Sequence, residues 1–224
     1  MRPLRAFCAT VVLLSLVLGP ASAKPDAQFH YVDPRRVDLT VLLPPPPDIG
    51  SPEQHADEQQ VAAAVAADNP VAIAYAQAAR KRSVFFFAAS IGSGFTAARL
   101  PKTAAFFTHV ASDVEKLVDI AKAYWERPRP STAGKAEGSY PSGHAAFAAS
   151  TAIILAQLIP AKRDAIFTQA RLFAENRIIL GRHFPSDVAA GWTAGSLAAA
   201  AMMQDPTFQH DFAAAQAELR SANL

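Results

Sequence analysis

An all-α, single-domain bundle of many helices, preceded by an extended proline-rich N-terminal arm, is the fold class this sequence predicts. Three observations predict it. Apolar, alanine-rich stretches follow one another from residue 51 to the end. Prolines and glycines fall at the breaks between them. No segment alternates apolar and polar residues as a half-buried strand does. At 224 residues, 51% apolar and 18% charged, the chain is long enough for one sizeable core and too ordinary for a disordered or collagen-like polymer.

Taken in order, residues 1–23 read as a cleavable secretory signal. Arg2 and Arg5 precede an apolar run from Val11 to Leu18, and Ala21-Ser22-Ala23 offers a small-residue cleavage site. The run is well short of the roughly 20 residues a spanning helix needs. Residues 24–50 form the arm. Val37–Leu43 suits a short strand, and Pro44–Pro47 suits polyproline II. From 51 onward a single all-α domain is expected. Ser51-Pro52-Glu53-Gln54 opens its first helix, with proline in the first turn and Gln54 placed for a capping box. Helices are expected over 52–68, 70–82, 101–125, 142–158, 161–180, 185–203 and 206–220, with an apolar segment at 83–98. Ala145–Ile159 and Val188–Met203 are apolar enough to raise a membrane question, but both are alanine-rich and bounded by polar groups, as central bundle helices are.

Charge and cysteine content narrow the function classes. Loss of the signal takes two of the 21 basic residues and leaves 19 against 19 acids. A neutral mature chain gives no reason to expect nucleic acid or an anionic membrane as partner. The single cysteine, Cys8, departs with the signal, so the mature chain has neither an internal disulfide nor a thiolate metal site.

Three clusters carry chemistry. In Lys122-Ala-Tyr-Trp-Glu-Arg-Pro-Arg129-Pro130 the prolines stop a helix and hold the residue before each of them extended, so Arg129 projects from a fixed backbone. Read alone, these are basic residues at a helix C-terminus. In Gly138-Ser-Tyr-Pro-Ser142-Gly143-His144, a serine and glycine open a helix whose first N–H groups can cradle an anion. Ser142 is equally a plain N-cap, and a lone histidine such as His144 is more often a satisfied core residue. In Asn176-Arg177-Ile-Ile-Leu-Gly-Arg-His183-Phe-Pro-Ser-Asp187, His183 falls in a tight connection. Asp187 can reach one imidazole nitrogen and leave the other as base, ligand or nucleophile; it can also simply cap its own helix. Together the clusters hold three anion clamps (Lys122, Arg129, Arg177), a set of helix-terminal N–H groups and two histidines. Those are the parts of phosphoryl transfer.

The set Lys122-x6-Arg129-Pro130, Pro141-Ser142-Gly143-His144 and Arg177-x5-His183-x3-Asp187 resembles the three-part signature of the type 2 phosphatidic acid phosphatase superfamily, which also contains the vanadium-dependent haloperoxidases. The string Gly-Ser-Tyr-Pro-Ser-Gly-His, the signal and the arm Asp38-Leu-Thr-Val-Leu-Leu-Pro-Pro-Pro-Pro are similar to bacterial class A non-specific acid phosphatases. The resemblance implies that His183 is a nucleophile forming a phosphohistidine, held by Asp187, and that His144 protonates the leaving alcohol. Lys122, Arg129, Ser142, Gly143 and Arg177 would hold the phosphate, with no metal or other cofactor. Asn176 stands where serine is usual, Ala145 where threonine is common, and the 131–140 link is short. The expected protein is a periplasmic or secreted acid phosphatase of broad specificity on small phosphate monoesters, inhibited by vanadate. A lipid phosphate or pyrophosphate phosphatase at a membrane face and a vanadate-dependent haloperoxidase remain open, and so does a homodimer.

Overall fold

The computed structural model describes residues 28–130 and 138–224. The expected signal, the cleavage site and most of the 131–140 link lie outside them. Among the described residues the chain is helical and has no strand. The elements are α1 (Leu39–Leu42), α2 (Pro52–Ala66), α3 (Pro70–Ala78), a 3-10 turn (Val84–Phe87) running into α4 (Ala88–Ile91), α5 (Pro101–Trp125), α6 (Gly143–Leu158), α7 (Arg163–Ile179) after a 3-10 turn at Pro160–Lys162, α8 (Pro185–Met202) and α9 (Pro206–Ser221).

Proline opens α2, α3, α5, α8 and α9, where its missing N–H costs nothing and its fixed φ already suits a helix. α5 presents Phe106, Val110, Val114, Leu117, Val118 and Ala121 on one buried face, the apolar stripe of an amphipathic helix. It ends at Glu126, which adopts φ 44° and donates its N–H to the Lys122 carbonyl at 3.0 Å.

α6 is buried on nearly every side and packs on α8, α7, α5 and α9, so it is the axis of the bundle. Small side chains make this possible. Gly191 and Gly195, one turn apart on α8, face Ser142, Ala145 and Ala146 of α6. A Cβ on Gly195 would stand 2.8 Å from the Ala146 carbonyl carbon. Only glycine permits so close a crossing. No helix among the described residues is long and apolar enough to cross a membrane; the two apolar stretches are the packed pair α6 and α8.

Three expectations in the first half are corrected. Residues 37–43 are not a strand. Asp38 accepts the Thr40 N–H at 2.9 Å and starts the helical turn α1, a local hydrogen bond that a strand would forgo. The second helix stops at Ala78 rather than 82, and 83–98 is a 3-10 turn, one turn of α-helix and irregular chain. The capping box is half formed: Ser51 Oγ accepts the Gln54 N–H at 3.1 Å, but the Gln54 side chain turns to Arg127 and Glu58.

The arm shares the core. Val32, Val37, Leu39 and Leu43 are buried among the helices. Asp113 of α5, fully buried, accepts the N–H groups of His30 and Tyr31, and Tyr31 Oη donates to Asp211 of α9 at 2.7 Å. Farther along, Tyr140 Oη donates to the Pro44 carbonyl at 2.6 Å. The arm is thereby tied to the loop that enters α6.

Candidate active site

The three sequence clusters meet at one end of the bundle, where α5 ends, α6 begins and α7 passes to α8. Lys122, Arg129, Gly143, His144, Arg177 and His183 line one open cleft of about 1540 Å³. Asp187 and Ser142 stand behind that wall and are fully buried.

His183 is 2% exposed. Its Nδ1 lies 3.4 Å from Asp187 Oδ2, and its Nε2 lies 3.1 Å from Arg129 Nη1. A guanidinium has hydrogens to give and no lone pair to offer. Nε2 is therefore the acceptor, and the ring hydrogen sits on Nδ1 and points to Asp187. The tautomer is set from both sides, and the unprotonated nitrogen faces the cleft cations. Burial pushes the imidazole pKa down to about 4; Arg129 and Lys122 add to the fall, while the bond to Asp187 opposes it.

Asp187 does two jobs. Its Oδ2 accepts the Phe184 N–H at 2.9 Å, capping α8, while also facing His183. Its Oδ1 takes Arg127 Nη1 at 2.6 Å. Burial alone would raise its pKa, yet His183, Arg127 and the Phe184 N–H together hold it below the usual carboxylate range. Arg127 is buried over the Phe184 ring, 4.4 Å from its centroid, and also reaches Asp57 (2.9 Å), Gln54 (2.6 Å) and Ser186 (2.7 Å). Ser139 Oγ lies 3.0 Å from the Pro128 carbonyl and 3.4 Å from Asp187 Oδ1. Sequence reading missed Arg127, Asp57, Gln54, Ser139 and Ser186. The one signal is the doubled Arg-Pro-Arg-Pro, in which only the second arginine falls in the motif.

His144 stacks on Phe173, with centroids 5.8 Å apart, and its Nε2 lies 3.1 Å from the Arg80 carbonyl. A carbonyl only accepts, so Nε2 carries the hydrogen and the proton that comes and goes is on Nδ1. Burial, then Arg177, and then Arg82 and His183 push this imidazole down to about 2, against the pull of the Arg80 carbonyl. Arg177 Nε and Nη1 are buried and have no hydrogen-bond partner among the described residues. Burial and the fields of Arg182, Arg129, Arg80 and Arg82 bring its pKa down to about 10. A buried cation with idle donors is costly, and an anion in the cleft would supply the missing partner. Ser142 Oγ accepts the Ala145 N–H at 3.4 Å, so it is the N-cap of α6, with its own hydrogen still to give. Asn176, next to Arg177 in the chain, is buried, and its Nδ2 has no hydrogen-bond partner among the described residues. Among the described residues no cluster of three or more His, Cys, Asp or Glu is arranged to hold a metal ion.

An all-α scaffold that converges three cations, an open helix N-terminus and an oriented neutral imidazole defines a site for handling oxyanions. Residues 102–211 match the model of the PAP2 superfamily. The chain is 30% identical to the acid phosphatase of Zymomonas mobilis, over 89% of this chain and 81% of that one. It is 28% identical to the non-specific acid phosphatase of Providencia stuartii, over 95% and 93%. The crystal structure of the transmembrane PAP2-type phosphatidylglycerolphosphate phosphatase of Bacillus subtilis superposes with a TM-score of 0.52, at 22% identity, over 74% of this chain and 89% of that one. That last likeness is one of fold. The chain belongs to the PAP2 superfamily.

Proposed function

We propose that this phosphatase is an exported acid phosphatase that hydrolyses soluble phosphate monoesters of varied leaving group, without a metal, through a phosphohistidine at His183. The observation that carries the reading is the oriented, unprotonated Nε2 of His183, set among Lys122, Arg129 and Arg177. The likeness to two acid phosphatases along most of the chain supports the reaction class. Residues 51–224 would be the catalytic domain, and residues 1–23 the signal that exports it to the periplasm or beyond.

A substrate phosphate entering the cleft competes with His183 for Arg129 and takes the idle donors of Arg177. The Gly143 N–H, the Ser142 hydroxyl and Lys122 complete its cradle. The Nε2 lone pair then attacks phosphorus as the bond to the leaving oxygen breaks. His144 gives its Nδ1 proton to that oxygen, so an alcohol departs. Asp187 stabilises the imidazolium character that His183 acquires. In the second half His144, now neutral, takes a proton from water as the water oxygen attacks phosphorus. The P–N bond breaks, its electron pair returns to Nε2, and phosphate leaves.

The ionisation states suit acid conditions. His183, pushed down to about 4, stays unprotonated in mildly acidic solution. Burial first, and then the neighbouring cations, hold His144 neutral in the empty cleft; a phosphate dianion among those cations offsets their part and favours the protonated form that serves the leaving group. The test is hydrolysis of p-nitrophenyl phosphate by purified, EDTA-treated protein across acid to neutral pH, with vanadate and with His183→Ala. Turnover that resists EDTA, falls with vanadate and vanishes in the variant is expected. Normal turnover by His183→Ala overturns the proposal.

A further inference from the structure

The cleft holds more positive charge than one phosphoryl group uses. Arg80, Lys81, Arg82, Lys122, Arg129, Arg177 and Arg182 line it, against Glu115, Asp119 and Glu126. The reading above assigns three of those cations to the transferred phosphate. Arg80, Lys81 and Arg82 form a run in the connection between α3 and the turn at Val84–Phe87, and their placement is specific. The Arg80 carbonyl accepts from His144 Nε2. Arg82 lies over the start of α6, its Nη1 3.1 Å from where a Cβ on Gly143 would be. Arg82 also pairs with Glu115 of α5. The charges of Arg80 and Arg82 both reach Arg177.

These residues therefore stand on the His144 side of the phosphate cradle. In-line displacement puts the leaving group opposite the nucleophile His183 and next to its proton donor His144. The excess charge lies where the leaving group must pass. A monoester with an uncharged alcohol gives these three residues nothing beyond the Glu115 that Arg82 already holds.

We propose that Arg80, Lys81 and Arg82 form a second anion subsite, and that the preferred substrates are phosphate esters whose leaving group carries a phosphate of its own. The inference rests on the phosphatase reading of the cleft. The second phosphate is bound and not transferred; the bond that breaks is still the one opposite His183. Glu115 partly occupies Arg82 and so limits the subsite.

A matched pair of substrates tests this: butyl phosphate and butane-1,4-diyl bisphosphate, compared by kcat/KM at low ionic strength. The wild-type protein is expected to favour the bisphosphate by about tenfold or more, the preference shrinking as salt screens the subsite. Arg80→Ala/Arg82→Ala should bring the ratio down to about two, the statistical factor for two equivalent ends. Glu115→Gln should raise it. A wild-type ratio of about two, or a double variant that keeps the wild-type ratio, overturns the subsite while leaving the phosphatase intact. Failure of the wild-type protein to hydrolyse either ester overturns the phosphatase reading and the subsite with it.

Discussion

Arg127 Nη1 lies 2.6 Å from Asp187 Oδ1, and the other oxygen of that carboxylate faces the Nδ1 of His183. The guanidinium thereby fixes the group that fixes the imidazole. It is itself held by Asp57 and Gln54 of α2, so His183, the proposed nucleophile, is braced by a helix some 70 residues upstream in the chain. Both carboxylates are buried, and Arg127 is the cation that balances them.

Replacing Arg127 with methionine leaves Asp57 and Asp187 buried without that cation, which typically costs about 3–5 kcal/mol. Arg127→Lys keeps the charge but cannot reach four partners from a single ammonium. The lysine variant is expected to fold with a lowered Tm and to lose about tenfold or more in kcat, through an Asp187 that no longer holds the His183 ring. Thermal unfolding and steady-state rates on one preparation check both; an unchanged kcat in a folded lysine variant contradicts the bracing role.

As the proposed general acid, His144 matters only where the leaving group needs a proton. For His144→Ala, loss on an alkyl phosphate should be about 10²–10⁴-fold, the usual worth of general acid catalysis. Formation of the phosphoenzyme from p-nitrophenyl phosphate should suffer far less, because nitrophenolate departs without a proton. Its hydrolysis still lacks a base, so a burst of nitrophenolate followed by slow turnover is expected in rapid-mixing experiments. Equal losses in the burst rate for both substrates would remove His144 from the acid's role.

How much of this was legible depended on distance along the chain. α5 could be read to the residue, because a helix tolerates proline only in its first turn, where Pro101 stands, and α5's apolar face repeats with helical period. Lys122, Arg129, His144, Arg177 and His183 stand out in the sequence because each lies in a short motif, and the fold brings the five to one cleft. Residues 37–43 misled because a run of β-branched and apolar residues looks like a strand, while the Asp38 cap that decides the matter is a single hydrogen bond. Arg127 was out of reach for another reason: its partners Gln54 and Asp57 lie on another helix, and no local pattern pairs them. The Arg80–Arg82 run was visible as charge, but only the fold puts it beside His144.

The crossing of α6 and α8 gives a packing prediction. A methyl group on Gly195 would lie 2.8 Å from the Ala146 carbonyl carbon, and one on Gly191 3.1 Å from the Ser142 carbonyl carbon. Alanine gains up to about 1 kcal/mol in helix propensity over glycine, but overpacking of a fitted core costs about 1–3 kcal/mol or more. Because the clash is with backbone, the cost should win, and both variants should unfold at lower denaturant. Gly191→Ala should also raise KM, since Gly191 lies against Ser142 in the proposed phosphate cradle. A stabilised Gly195→Ala would mean that the two helices are not packed this closely.

The buried histidine makes stability depend on pH. His183 is held at about 4 in the folded protein, against 6.5 when it is exposed. Its folded value is the lower one, so acid favours the unfolded chain. The stabilisation is complete above about pH 6.5 and declines as pH falls toward 4, by about 3 kcal/mol in all. His144, also lowered, acts in the same direction. Urea unfolding at pH 7 and pH 4.5 should therefore show a clear loss of stability in the empty protein. Inorganic phosphate should restore part of it, by binding the folded state alone and stabilising the protonated histidines. His183→Gln removes this titrating group and should flatten the profile. A wild-type protein as stable at pH 4.5 as at pH 7 would mean that His183 is not held neutral by burial, and that its readiness as a nucleophile in acid has another source.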